Sequence, residues 1–233
     1  MVYGAREWFE RFRWFITSGG KLVIAGRDAT QNEVIVRHYL RPWDIFVHAD
    51  IPGGAAVVIR LTNSNDSISD GDIQEAAQYA VSYSRAWVMG LSVLDAFYVR
   101  GEQVTKKAPS GEYLGKGSFM IYGTRGWVRN VELGLGIGVR IDNFGEASII
   151  RLITAPPSAI NSLVNYYVIV RPGSRDRIAV SREIYDLFRG KIPGITKVIN
   201  LSHIVDAVPG SSIIEGIYEG SPIPWDKLRS LIK

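Results

Sequence analysis

Two residues in the stretch from Lys21 to Asp50 have the types and spacing for chemistry. His48 and Asp50 are two positions apart in a run that reads as a strand, so their side chains should lie on the same face. A histidine and a carboxylate placed in this way could bind a metal ion or activate a water molecule. The chain has only three histidines, and no metal-site or protease spacing accompanies this pair. We therefore expect no catalytic residue, metal or cofactor; chemistry by His48 and Asp50 is the alternative.

Further candidates surround a predicted helix start in the same stretch. Asp28 can cap a helix, and Gln31 is three residues later, in the position of a capping box. Arg27 either forms an ion pair with Asp28 or offers its guanidinium to a phosphate. We interpret Arg27, Asn32 and His48 as side chains displayed together at one edge of the scaffold.

The excess positive charge of the chain is concentrated between Arg100 and Asn130. This window holds six of the 27 basic and two of the 23 acidic residues, so the remaining 21 of each sign cancel. Such a localised excess is typical of a polyanion-binding surface, although chance clustering on a solvated surface is the alternative. The cations that we expect to contact the polyanion are Lys106, Lys107, Lys116, Arg125 and Arg129.

Aromatic residues are interleaved with these cations. Single-stranded or looped RNA needs this combination, because the cations bind phosphates and the aromatic faces stack on bases. Trp127, in the turn-like sequence TRGW, is the expected stacking residue, whereas Phe119 is expected in the core as part of a strand over 118–122. The pattern predicts an RNA-binding surface shared by this window, Arg27 and His48.

The elements that must position these residues follow from hydrophobic periodicity and turn signals. The Gly19-Gly20 turn predicts a hairpin, and the apolar positions from Asp72 to Trp87 predict one long helix, with Gly90 as its stop. The small Ala and Ser face of that helix indicates close packing on a sheet. Other predicted elements are a helix over 5–13 and strands over 45–49, 55–61 and 94–100.

The second half of the chain has a different pattern. Glycines alternate with apolar residues between Val131 and Asp142, which leaves one strand face bare for another backbone or a ligand. From Ile149 onward the order strand, helix, strand, helix predicts a small α/β unit. The predicted fold is therefore α+β. A mixed, largely antiparallel sheet with packed helices occupies residues 1–150, and an α/β appendage occupies 151–233.

The composition excludes several classes of protein. With 46% hydrophobic and 21% charged residues the 233-residue chain can form a core, which excludes wholesale disorder. There is no apolar run of about 18 residues, and the N-terminus does not resemble a signal peptide. The lack of cysteine excludes disulfides, thiolate metal sites and a cysteine nucleophile. We expect a soluble, cytoplasmic protein without a membrane segment.

Five motifs in order resemble the RNA-binding domain of the NFACT family, which acts in ribosome-associated quality control. The resemblance covers about Glu7 to Arg140 and continues more weakly toward the C-terminus, where the sequence looks like the tail of archaeal members. The motifs are EWFERFRWFITSGGKLVIAGRDATQNE, DIFVHADIPGG, EAAQYAVSYSRAW, VTKKAPSGEYLGKGSFMIYG and RNVELGLGIGV.

The resemblance implies a function and partners. In the family this domain is regarded as an RNA-binding module, and full-length members bind the large ribosomal subunit and recruit tRNA. Its motifs carry Arg27 and Asn32, then His48, then the run from Lys106 to Tyr113, with Lys107 where members have threonine.

The family's N-terminal domain, helix-hairpin-helix region and coiled coil do not occur in the sequence. We therefore expect either a C-terminal piece of a longer protein or a solo NFACT-R protein. The alternative functions are a role in tRNA modification and a protein-interaction module that docks on the ribosome.

Overall fold

The computed structural model describes residues 1–3, 7–107 and 114–232. Their strands form two large sheets and one small two-stranded ribbon. In chain order the strands are β1 (Val2–Tyr3), β2 (Arg13–Ile16), β3 (Leu22–Ala25), β4 (Ile45–Ala49), β5 (Val57–Ile59), β6 (Val93–Arg100), β7 (Val104–Thr105), β8 (Met120–Ile121), β9 (Gly126–Glu132), β10 (Leu135–Phe144), β11 (Ala147–Ala155), β12 (Tyr166–Arg175) and β13 (Ser212–Glu219).

The described helices are short, apart from two. The helix Ala29–Val34 continues as a π-helical turn over Ile35–Tyr39. Three further segments are 3₁₀ helices, namely Trp8–Arg11, Gly101–Gln103 and Ile195–Lys197. The α-helices are α1 (Ala29–Val34), α2 (Asp70–Ser82), α3 (Arg85–Val88), α4 (Pro157–Ile160), α5 (Arg177–Lys191), α6 (Leu201–Ala207) and α7 (Trp225–Leu231). None of these helices is both long and apolar enough to cross a bilayer.

The first sheet has the strand order β2-β3-β5-β4-β6-β9, and each neighbouring pair is antiparallel. The predicted hairpin around Gly19-Gly20 is therefore confirmed, with Gly20 at a φ of 84°. Helix α2 packs on this sheet, its small residues Ala76, Ala77, Ala80 and Ser82 are fully buried, and Tyr79 contacts Phe15 of β2 at 4.8 Å between ring centres. The predicted packing of the Ala and Ser face is confirmed.

Two predictions of helices were wrong in extent. The long helix predicted to reach Trp87 is interrupted after Ser82, because Ser84 bonds to the backbone on both sides. Its hydroxyl donates to Val81 O (2.7 Å) and accepts from the Ala86 N–H (3.2 Å), which caps α3. The helix predicted over 5–13 is only a 3₁₀ turn in its described part, since Arg13 already pairs in the β-sheet.

The second sheet has the order β1-β11-β10-β12-β13 and is antiparallel except for the pair β1 and β11. The bare glycine face predicted in this part belongs to β10. A Cβ at Gly136 would lie 2.6 Å from the Ile160 side chain, and one at Gly138 would lie 2.6 Å from Val164. The chain's own segment after β11 therefore uses the space that the glycines leave.

The α+β class is confirmed, and the strand, helix, strand, helix order after residue 148 is present as β11, α4, β12 and α5. Strand β10 lies between β11 and β12 and is antiparallel to both. Residue 150 lies inside β11. The division into 1–150 and 151–233 stays a prediction.

Candidate nucleic-acid interface

Asp28 caps α1 as the sequence predicted, but Gln31 does not complete a capping box, because its side chain bonds to Arg27 and not to the backbone of Asp28. Asp28 Oδ1 accepts a hydrogen bond from the Gln31 N–H (2.9 Å), and Gln31 Oε1 accepts one from the Arg27 N–H (3.1 Å). The guanidinium of Arg27 donates to Phe12 O (3.2 Å), and the described contacts include no ion pair between Arg27 and Asp28. Asp28 therefore serves the helix, and the exposed Arg27 keeps donors free for a ligand.

Asn32 lies beneath this helix start. It is buried, its Nδ2 donates to Gly54 O (3.1 Å), and its Oδ1 accepts from the Ala56 N–H (2.9 Å). A Cβ at Gly26 would overlap the Asn32 side chain, so these two residues are packed without space between them. The structure therefore gives Asn32 a positioning role, and its contact with RNA stays a prediction.

A groove of about 590 Å³ opens beside the start of α1. Asp28 is the only acidic residue on its described lining. We call it the basic groove, after its lining cations Arg13, Arg27, Arg85, Lys116 and Arg177.

The cations of the basic groove are of two kinds. Arg13 is fixed by hydrogen bonds to Gly26 O (3.2 Å) and Asp206 O (3.1 Å), and Arg177 by a bond to Val205 O (3.0 Å). Arg85 and Lys116 are exposed, and no described carboxylate lies within ion-pair distance of either. The fixed arginines form walls, and the free cations are available to an anion.

Sequence reasoning missed Arg13, Arg85 and Arg177. They come from β2, α3 and α5, and only the folded chain brings them together. Arg175 and Arg177 do lie in a locally basic run, but the sequence carried no signal that connects this run with Arg13 or Arg85.

A second cavity of about 370 Å³ lies next to the basic groove. In the β4 and β6 pairing His48 is opposite Phe97, with 5.9 Å between ring centres, and Phe46 is on the same face 6.2 Å from His48. Phe119 closes the cavity 6.2 Å from Phe46, and the Arg125 guanidinium lies 4.5 Å from the centre of the Phe97 ring. We call this cavity, lined by these five residues, the aromatic pocket.

His48 lies where the two cavities meet and is half-buried. Its Nδ1 is 2.7 Å from Ala49 O, and the described contacts include no hydrogen bond to Asp50. Burial lowers the pKa of His48 below 6.5 and outweighs the opposing hydrogen bonds to the backbone of Ala49 and Gly54. No group of three or more His, Cys, Asp or Glu side chains among the described residues could hold a metal ion.

The depressed pKa of His48 predicts a pH dependence of stability. The unfolded chain takes up a proton near pH 6.5 that the folded chain resists, so acidification through this pH favours unfolding. We expect His48→Gln to lose less stability than the parent between about pH 7.5 and 5.5. Urea unfolding at several pH values would measure the difference, since His38 and His203 are present in both proteins. Parallel curves for the two proteins would contradict this account.

Lys106 is placed differently from what its position in the basic window suggested. Its Nζ donates to Gly115 O (2.7 Å) and Ser118 O (3.2 Å) and lies 3.5 Å from Glu33 Oε2. Burial alone would raise the pKa of Glu33, but the charges of Lys106 and Arg37 outweigh it and hold the pKa below its ordinary value. Lys106 thus fastens the 115–118 turn to α1.

Lys107 is exposed at the end of the described segment, outside both cavities. Residues 108–113 of the Lys106–Tyr113 motif lie outside the described residues.

Lys106→Ala is therefore expected to lower the stability of the fold, because the Lys106 side chain makes contacts inside the chain. The variant loses two charge-assisted hydrogen bonds to backbone carbonyls, which should lower the free energy of unfolding by about 1.5–3 kcal/mol. Lys107→Ala is the matched control, because its side chain has no described partner, and it should change stability by less than about 0.5 kcal/mol. Equal unfolding midpoints for the two variants would show that Lys106 does not hold the turn.

Trp127 lies in a strand and not in a turn, which corrects the interpretation of TRGW. It is opposite Phe97 in the β6 and β9 pairing and is 37% exposed. The Arg129 guanidinium lies 4.3 Å from the centre of its ring, and Arg129 Nη1 donates to Asp95 Oδ2 (2.7 Å). That hydrogen bond lowers the pKa of Asp95. Trp127 and Arg129 therefore contact each other on the edge strand, and neither lines the basic groove or the aromatic pocket.

The predicted site residues thus fall into three groups. Arg27, Asn32, His48 and Lys116 line the basic groove, while Arg125 joins His48 in the aromatic pocket. The residues that line neither cavity are Lys106, Lys107, Trp127 and Arg129.

An α+β domain with a cationic groove beside an aromatic pocket has the features of a nucleic-acid-binding protein. Residues 11–123 match the family model described as the NFACT protein RNA binding domain. The chain belongs to the NFACT family, and the resemblance found in the sequence is confirmed.

Two relatives show how much of a longer protein the chain matches. It is 38% identical over 184 residues to the archaeal Rqc2 homolog aRqcH of Methanocaldococcus jannaschii, which covers 79% of this chain and 26% of that protein. It is 46% identical over 132 residues to the ribosome quality control complex subunit NEMF homolog of Drosophila melanogaster, which covers 57% of this chain and 13% of that protein. The chain thus spans about a quarter or less of the length of these relatives.

Proposed function

We propose that this chain binds tRNA or ribosomal RNA and acts in ribosome-associated quality control at the large ribosomal subunit in the cytoplasm. The relatives whose names refer to ribosome quality control support the process, and the matched family model supports RNA as the ligand class. In this proposal the chain acts by binding and catalyses no reaction.

The observation that carries the proposal is the basic groove beside the aromatic pocket. Arg27, Arg85 and Lys116 supply three exposed cations along the groove, without a described carboxylate in ion-pair contact. Phosphates along an RNA backbone neutralise such cations and release counterions, which supplies most of the binding free energy at low salt. The aromatic side chains of the pocket supply the π faces that unpaired bases need.

Filter binding with labelled RNA tests the proposal. The chain should bind a tRNA transcript or a fragment of large-subunit ribosomal RNA more tightly than a perfect RNA duplex, because paired bases cannot enter the pocket. Affinity should fall steeply as salt increases. Failure to bind any RNA at low salt would overturn the proposal.

A pull-down of ribosomal subunits with and without RNase separates the protein-docking alternative. The proposal expects association to be lost after RNase treatment. Undiminished association would favour docking on ribosomal protein.

A further inference from the structure

The aromatic pocket differs from the basic groove in what it can bind. Its rings form a ladder across β4 and β6, and Arg125 covers the outer ring, Phe97. A volume of about 370 Å³ is in the range of small-ligand pockets, and it has room for a flat ring system. Burial lowers the pKa of His48, so its ring is uncharged near neutral pH. The ring can therefore lie against an aromatic ligand without a charge being buried.

We propose that the aromatic pocket binds one unpaired base of the RNA and that Asp50 favours guanine there, a proposal that rests on the proposed RNA-binding function. A base that stacks on the exposed rings of the pocket beside the Arg125 guanidinium would gain both stacking and cation–π contacts. The binding groups belong to rigid strands or to the segment beside them, so little ordering is needed on binding.

Asp50 gives the pocket a polar edge. It follows β4 directly, lines the pocket and is exposed, and its backbone N–H donates to Asp95 O (2.9 Å). The described contacts include no hydrogen bond or ion pair to its carboxylate. A carboxylate has only acceptors, and among the four bases only guanine presents two adjacent N–H donors on its Watson–Crick edge. Asp50 can therefore bond guanine twice and other bases at most once.

The route into the pocket is continuous with the basic groove. His48, Gly53, Gly117 and Ser118 line both cavities, and the two glycines place no side chain between them. Both glycines have positive φ, 83° for Gly53 and 77° for Gly117, which favours glycine at these positions. An RNA strand whose phosphates follow the groove can therefore place one base in the pocket.

Oligonucleotides that differ at one position test the inference. We would use uridine oligomers of about nine nucleotides, a length within the range of single-strand sites, with guanosine, adenosine, cytidine, uridine or an abasic sugar at the centre. In fluorescence anisotropy the adenosine, cytidine and uridine oligomers should each bind about tenfold more tightly than the abasic one, as expected for one stacked base, and the guanosine oligomer should bind about fiftyfold more tightly than the abasic one. It should bind about fivefold more tightly than the other three, as expected for one further hydrogen bond.

Surface variants assign the effect to the pocket without disturbing the core. Asp50→Asn should remove the guanine preference and retain the penalty of the abasic sugar, whereas Arg125→Ala should reduce that penalty. Asp70→Asn is the matched control, because Asp70 is exposed, carries the same charge and lines neither cavity. It should bind all five oligomers like the parent.

Three outcomes would overturn the inference in different ways. Equal affinity for the guanosine and abasic oligomers, with RNA binding otherwise intact, would remove the base pocket and leave the proposed function standing. A guanine preference that persists in Asp50→Asn would remove the role of Asp50. Absence of binding to every oligomer and to tRNA would remove the proposed function together with the inference.

Discussion

Asp142→Ala is expected to lower the free energy of unfolding by about 3–5 kcal/mol, because it leaves two buried arginines without their shared counter-charge. Asp142 Oδ1 accepts from Arg140 Nε (2.9 Å), and Oδ2 accepts from Arg151 Nη1 (2.8 Å). Arg140 is 1% exposed and Arg151 is 3% exposed, so water cannot replace the lost carboxylate. This loss is large compared with the total stability of an ordinary domain.

The ion network holds several parts of the chain together. Arg151 Nε also donates to Oε1 of Glu10 (3.0 Å), a residue of the 3₁₀ helix Trp8–Arg11 at the N-terminal side of β2. Arg140 Nη2 donates to Ile223 O (2.7 Å), just before α7. Trp225 of α7 lies against the network, with the Arg151 guanidinium 3.7 Å from its ring centre. Removal of Asp142 should therefore loosen α7 as well as lower global stability.

Urea denaturation followed by tryptophan fluorescence would measure the effect. Asp186→Ala is the matched control, since Asp186 pairs with Arg189 on the exposed face of α5 and should matter by less than about 0.5 kcal/mol. If Asp142→Ala does not fold, Asp142→Asn, which keeps the shape and one acceptor, should be folded but destabilised. A parent-like midpoint for both Asp142 variants would contradict the account.

Local features of the fold were predictable because their causes are local. The turn at Gly19-Gly20, the cap at Asp28 and the strands over 45–49 and 94–100 depend on residues within a few positions of one another. The buried ion network was not predictable, since Asp142 and Glu10 are far apart in the sequence and charged residues usually lie at the surface. The break before α3 was missed because one serine hydroxyl decides it.

The site was predictable only where local composition was sufficient to identify its residues. The charge excess between residues 100 and 130 identified Lys116 and Arg125, which do line the two cavities. The same excess also pointed to Lys106, whose charge is used inside the chain. Composition gives the number of cations in a segment but not their partners. A cation that bonds to groups of its own chain stabilises the fold and is not available to a ligand.

Arg85→Ala/Lys116→Ala is expected to weaken RNA binding about 25-fold at roughly 0.1 M salt. Each phosphate contact to a single strand contributes about 0.7 to the slope of log K against log salt, and this electrostatic contribution vanishes near 1 M salt. Loss of two contacts should therefore reduce the slope by about 1.4. Over the one decade between 1 M and 0.1 M salt, this change lowers log K by about 1.4, which is the 25-fold loss of affinity. Both side chains are exposed and have no described ion-pair partner, so the fold should not change.

The control for this variant must remove the same charge elsewhere. Arg182→Ala/Lys227→Ala does so, because both residues are exposed, have no described ion-pair partner and line neither cavity. Since exposed charges beyond about 8–10 Å are screened near physiological salt, the control should bind RNA within about twofold of the parent and keep its salt slope. Equal losses in the two double variants would mean that net charge, and not the basic groove, attracts the RNA. A full salt slope in Arg85→Ala/Lys116→Ala would mean that the phosphates bind on another face of the molecule.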